Sequence, residues 1–161
     1  MTNCVLSKRE QEYLEVIYIL ERGKGYVRII DIAKRLRVKP PSVVEFLDRL
    51  AEKGLVEYEK REILRLTEKG KEIASRIYSR HIALKEFLIK VLKVSEDVAE
   101  EDACYMEHGV NEITLNNMLL FLKYLEECPE AGRYTIEGFE HYYKHRECMT
   151  KQVKRPKTQY T

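Results

Sequence analysis

Apolar residues along this chain recur mostly at spacings of three and four, the period of an amphipathic helix. Tyr13, Leu14, Ile17, Tyr18 and Leu20 predict a first helix over residues 7–21. Ser7 and Glu10 stand at the capping-box spacing that opens it, and Gly23-Lys24-Gly25 closes it. Residues 26–29 are short and β-branched. Ile32, Ala33 and Leu36 mark the inward face of a short helix over 31–36, followed by a turn at Arg37-Val38-Lys39. Pro40 or Pro41 opens the next helix, where a missing N–H loses no partner. Val43, Phe46, Leu47 and Leu50 give that helix its apolar stripe, and Gly54 follows its end. Residues 55–60 and 63–66 read as two strands around an Arg61-Glu62 turn. Thr67 caps a long helix to Lys90, Ser95 caps another to Gly109, and Thr114 caps one that ends before Pro129. A last helix is expected over 134–148, with a basic, fraying tail from Thr150.

Composition narrows the class. The chain has 161 residues, 44% hydrophobic and 35% charged, with 7 Gly and 4 Pro, which fits a helix-rich chain without long linkers. No apolar run is long enough to cross a bilayer, and Met1-Thr2-Asn3-Cys4 lacks the features of a signal peptide, so the expected compartment is the cytoplasm with no membrane partner. A net charge of +2, from 29 basic and 27 acidic residues, excludes a blanket polyanion binder. Residues 22–80 are the more basic stretch and 95–140 the more acidic one. Cys4, Cys104, Cys128 and Cys148 form no CxxC pair, which argues against a disulfide framework.

Helix, tight turn, helix and hairpin is the order of a winged helix-turn-helix, whose second helix enters the major groove N-terminus first. Lys39, Pro40, Pro41, Ser42 and Val43 hold that leading position. Ser42 suits a base edge or a phosphate, and Val43 or a proline ring suits a thymine methyl. Arg28, Lys39, Arg49 and the hairpin-tip residues Lys60 and Arg61 are candidates for phosphate contacts. A helix-hairpin unit serving protein contacts would show the same order, with its charges merely solvated. Glu45 on the leading helix repels phosphate, but it could accept from a cytosine amine.

Cys104, Glu107 and His108 stand at i, i+3 and i+4 on one expected helical face, with Glu100 a turn earlier. Thiolate, carboxylate and imidazole together suit Fe(II), Co(II), Ni(II) or Zn(II). Glu12 and Glu15 on the first helix and His81 on the long helix could complete the shell. Taken singly, each has a plainer reading, as a solvated carboxylate or a small core thiol.

With both motifs in place, residues 9–129 resemble the diphtheria-toxin-repressor family of metal-dependent regulators, which includes the manganese transport regulators. The resemblance rests on EYLEVIYIL at 12–20, DIAKRL at 31–36, KPPSVVEFLDRLAEKGLVEYEK at 39–60, LTEKGKEIASRI at 66–77, RHIALKEFL at 80–88 and DACYMEHGV at 102–110. It implies a mostly α fold: a winged helix-turn-helix domain over 1–72, a helical metal-binding and dimerisation domain over 73–150, and a tail over 151–161. It also implies ligand positions at Glu12, Glu15, His81, Cys104, Glu107 and His108. The iron branch has Met where Glu12 stands and Cys where Cys104 stands, whereas the manganese branch has carboxylate at both. The iron branch's ancillary site has Glu where Lys85 stands and His where Glu100 stands, so a second metal would have to use Glu15, His81 and Glu100.

The expected function is a metal-activated repressor that binds a palindromic DNA operator as a homodimer. Fe(II) is the preferred ion, with Mn(II), Co(II), Ni(II) and Zn(II) as alternatives and no organic cofactor. A manganese-responsive repressor, or a metal-free regulator sensing an oxidant or small molecule through Cys104, are the alternatives. A metal hydrolase would need a further base and a substrate cleft, and no spacing supplies them. Met106, Val110, Leu115, Met118, Leu119 and Leu122 are the expected apolar face of the dimer.

Overall fold

In a computed structural model that describes residues 6–58 and 64–148, seven helices and one small hairpin are present among the described residues. Helix α1 is Lys8–Lys24, and its capping box is made: Ser7 N–H donates to Glu10 Oε2 at 2.8 Å, and Glu10 N–H donates to Ser7 Oγ at 3.3 Å. Gly25 ends the helix at φ 75°, so Gly23 belongs to the helix rather than to the turn. Helix α2 is Ile29–Leu36, two residues longer at its start than the apolar spacing predicts. Helix α3 is Pro40–Glu52, opened by Pro40. It closes in a Schellman turn, with Leu55 N–H on Leu50 O at 2.9 Å and Gly54 N–H on Ala51 O at 2.8 Å. Gly54, at φ 67°, occupies the left-handed position that turn requires.

The hairpin is shorter than expected: β1 is Val56–Glu57 and β2 is Arg65–Leu66, antiparallel. Val56 faces Leu66 on the buried side, and Glu57 faces Arg65 on the exposed side. Val27 adds a single bridge to Leu64. The hairpin tip, with Lys60 and Arg61, lies outside the described residues.

Helix α4, Glu68–Lys90, starts against this unit. Thr67 Oγ1 donates to Gly54 O at 2.8 Å and accepts from Gly70 N–H at 3.0 Å. Gly70 lies so close to Leu55 that any Cβ would overlap the Leu55 carbonyl oxygen. Helix α5 is Glu96–Met106, α6 is Glu112–Glu127 and α7 is Pro129–His145. Three boundaries differ from the sequence expectation. Helix α5 stops at Met106, so Glu107 is its C-cap and His108 lies in the turn beyond. Asn111, not Thr114, caps α6, because its side chain accepts from Ile113 N–H at 2.9 Å. Helix α7 begins at Pro129, and Gly132 lies inside it, pressed on the Leu125 backbone of α6.

Two apolar cores form. The first joins α1, α2, α3, the hairpin and the start of α4 through Tyr13, Leu14, Ile17, Ile32, Leu47, Leu50 and Ala74. The second joins α4, α5 and α6 through Ala83, Leu84, Leu88, Ala99, Ala103 and Leu115. Helix α4 belongs to both, and the expected boundary between residues 72 and 73 falls inside it. Leu115 and Leu122 are buried within the chain rather than on a free face. The exposed apolar side chains of α6 are Ile113, Leu119, Leu120 and Tyr124.

Candidate metal centre and DNA-binding surface

Glu15 from α1, His81 from α4 and Glu107 from the end of α5 converge, all buried, with ligand atoms within 4.8 Å of one another. His81 Nδ1 lies 3.0 Å from Glu107 Oε2, and its Nε2 lies 3.4 Å from Glu100 Oε2. Glu107 Oε1 lies 3.2 Å from His108 Nε2. Glu15 Oε1, Glu107 Oε1 and His108 Nε2 are buried without a hydrogen-bond partner. Orphaned acceptors carry a large desolvation cost in a natural interior, and acceptors from several helices aimed at one point fit a cation. The donor set therefore suits a divalent metal.

The electrostatics agree. Burial, and then the neighbouring Glu107 carboxylate, push the Glu15 carboxyl up to about 8. His81 is raised chiefly by its hydrogen bond to Glu107. Burial lowers His108, so its neutral ligand form prevails. Because Glu15 and His81 titrate higher folded than unfolded, their contribution is complete at low pH and is lost as pH rises through the folded values. The melting temperature of metal-stripped protein should fall from about pH 4.5, the ordinary carboxyl value, to about pH 8, where Glu15 titrates in the fold, with His81 adding to the fall above 6.5. Glu15→Gln should flatten that fall. A flat profile in the parent chain would show that the carboxylates do not oppose each other.

The other expected ligands lie around this nucleus. Cys104 lies outside the close triad; the residue is exposed overall, but partial desolvation of its sulfur, and then Glu107, Glu15 and Glu12, push the thiol up to about 11. Glu107, the C-cap, keeps helical dihedrals and donates its N–H to Ala103 O, so it stands one turn from Cys104, whereas His108 lies in the turn beyond the helix. Glu12 is bound by Arg9 at 2.6 Å. Glu100 is held by Lys85 at 2.9 Å, so the lysine neutralises the carboxylate that a second metal would need. Three contacts were not legible in the spacing. Gln11 Oε1 lies 2.9 Å from His108 Nδ1, an arrangement that directs His108 Nε2 toward Glu107. Lys8 Nζ sits 4.5 Å from the centre of the Tyr105 ring. Lys53 at the end of α3 reaches buried Glu10 at 2.5 Å. The first turns of α1 thereby touch both the metal-competent cluster and the end of α3.

Lys39, Pro40, Pro41 and Ser42 are exposed at the start of α3, and Arg28 is exposed before α2. Arg49 is exposed but folded onto Glu45 at 2.5 Å and over the Phe46 ring. Val43 corrects the expectation of a base contact: it is wholly buried in the first core, where its position on the α3 stripe places it. Cys128 and Cys148 are exposed free thiols, not core residues.

Residues 5–64 match the family profile described as the iron dependent repressor N-terminal DNA binding domain, and residues 67–134 match the iron dependent repressor metal binding and dimerisation domain. The chain is 33% identical over 119 residues to an uncharacterized HTH-type transcriptional regulator of Methanocaldococcus jannaschii, covering 73% of this chain and 95% of that protein. It is 36% identical over 117 residues to the HTH-type transcriptional regulator MntR of Bacillus subtilis, covering 73% and 82%. The solved manganese regulator SloR is 30% identical with a TM-score of 0.63, covering 71% of this chain. This chain spans about half of the SloR chain (54%). The relatives are transcriptional regulators, not enzymes. Domain order, the buried cluster and these likenesses agree: the chain belongs to the diphtheria-toxin-repressor family of metal-dependent transcriptional repressors.

Proposed function

We propose that this repressor is activated by Fe(II), acts in the cytoplasm as a homodimer on a palindromic operator, and controls genes of metal-ion homeostasis. The observation that carries the reading is the buried cluster of Glu15, His81 and Glu107, with its orphaned oxygens beside His108. Glu15, His81, Glu107 and His108 hold the ion, with Glu12, Cys104 and Glu100 at its rim. A divalent ion there supplies the positive charge that two buried carboxylates lack. Glu15 fixes α1 to α4 and α5. Glu10, five residues earlier, carries that constraint to Lys53 and the end of α3. Lys39, Pro40, Pro41 and Ser42 then face the major groove, with Arg28, Arg49, Lys60 and Arg61 on phosphates. Ile113, Leu120 and Tyr124 on α6, with Phe139 and Tyr143 on α7, are the apolar surface offered to the second copy.

Iron is chosen for the thiol of Cys104, a soft ligand. A manganese reading draws on a different observation: two of the three buried ligands are carboxylates, and the thiol must first lose a proton held up to about 11. Anaerobic operator-binding titrations with Fe(II), Mn(II), Co(II) and Zn(II) separate the two. Fe(II) should activate the parent chain at lower concentration than Mn(II), and Cys104→Glu should reverse that order. If Mn(II) is already the better activator and Cys104→Glu changes nothing, the manganese reading stands.

A further inference from the structure

Helix α7 carries metal-competent side chains far along the chain from the buried cluster. Glu137, His141 and His145 are spaced four residues apart and so share one face of the helix. The two imidazole rings lie 4.6 Å apart, centre to centre, tilted by 42°. With Glu140 and Lys144 they line a shallow surface cleft of about 270 Å³. His141 is half-buried, and His145 and Glu137 are exposed.

The tautomer of His141 is set by its neighbour. Its Nδ1 lies 3.0 Å from the Glu147 carbonyl oxygen, which can only accept. Nδ1 therefore carries the proton, and Nε2 keeps its lone pair. A backbone carbonyl on the second ring nitrogen is the usual support of a ligating histidine. The turn that supplies it is part of the helix end: Arg146 takes φ 60° and its N–H caps Tyr142 O. The C-terminal end of a helix also carries partial negative charge, which favours a cation. Glu140 is held by Lys93 at 2.5 Å, whereas Glu137 has only a looser contact to Arg133 at 3.5 Å. Lys144 opposes a cation in the cleft, and Glu137 offsets it.

We propose that His141 and His145, one helical turn apart, form a second metal site that takes late first-row divalent ions, Zn(II), Ni(II) or Cu(II), and discriminates against Mn(II), with Glu137 a turn before His141 supplying negative charge rather than a third ligand. Paired imidazoles have that preference. The site shares no residue with the buried cluster, so it stands or falls separately from the activating ion.

Equilibrium dialysis of the full chain against Zn(II), and separately against Mn(II), tests it. The parent chain should bind one more Zn(II) than His141→Ala/His145→Ala, with equal Mn(II) stoichiometry in both. Each single histidine variant should weaken the extra Zn(II) by about 10-fold or more. In the parent chain, Zn(II) should also shift the ring resonances of His141 and His145. Equal Zn(II) stoichiometry and affinity in the parent and the double variant would overturn the proposal, as would Zn(II) shifts confined to His81 and His108.

Discussion

Glu107→Gln is expected to abolish metal-dependent operator binding while leaving the metal-stripped protein at least as stable as the parent. Glu107 is 2% exposed and touches both His81 and His108, so one side chain joins the two imidazoles. Gln has nearly the same shape, so packing around Ala103 and His81 is retained. Its amide cannot supply a negatively charged oxygen, and one of its two terminal atoms must present N–H groups toward the centre. Metal affinity should fall by about 100-fold or more, the upper end seen even for groups that only support a ligand. Stability should move the other way. Removing the Glu107 charge relieves the opposition that, after burial, raises Glu15. Thermal melts with chelator near pH 8 should therefore show an unchanged or higher melting temperature. An operator-binding response to metal equal to the parent's would remove Glu107 from the ligand set. A variant that loses both stability and response would assign it a packing role.

The second large effect is expected at Gly70. A methyl group there has no space, because the Leu55 carbonyl oxygen occupies it and is itself fixed by Thr67 N–H at 3.1 Å. Backbone cannot swing aside as a flexible side chain would, so α4 must shift off the hairpin. Gly70→Ala should cost about 2 kcal/mol or more, in the range of overpacked cores. For a chain of this size that is a fall of roughly 5 °C or more in melting temperature. Metal affinity should change little, since Gly70 lies eleven residues before His81 on α4. A melting temperature within a degree of the parent's would mean that α4 is free to slide on the hairpin.

How much of this was legible in the sequence depends on the kind of signal. Ser7-x-x-Glu10 and Thr67 mark helix starts by local chemistry and stand where they were read, and of the two candidates Pro40 and Pro41 it is Pro40 that opens α3. Helical spacing identifies a face but not the residue at which the helix stops. That is why Cys104, Glu107 and His108 read as one surface, although His108 lies in the turn beyond the α5 C-cap Glu107. Asn111 outcompetes Thr114 because the turn at 107–110 leaves it at the first extended position. The apolar spacing places the start of the last helix at 134, because nothing local shows that Gly132 lies inside α7, where the lack of a Cβ permits close approach to Leu125. Val43 lies beside exposed Ser42, and only the three-dimensional direction of the α3 stripe separates core from groove. The expected ligands Glu15, His81 and Glu107 do meet, but the pairing of Glu10 with Lys53 and of Gln11 with His108 spans 43 and 97 residues of sequence. No local pattern encodes contacts of that separation.

Helix α4, a single rod shared by both cores, has a mechanical consequence. At the helical rise of about 1.5 Å per residue its 23 residues extend over roughly 35 Å. His81 lies thirteen residues along it, roughly 20 Å from the end that Gly70 and Thr67 clamp to the hairpin. If the metal bound by the buried cluster reorients α4, the rod acts as a lever with its pivot at His81. A tilt of about 5° at the pivot would carry the clamped end through almost 2 Å over that 20 Å arm. In the homodimer proposed above, that displacement would double between the two reading heads, to about one base-pair step of a double helix.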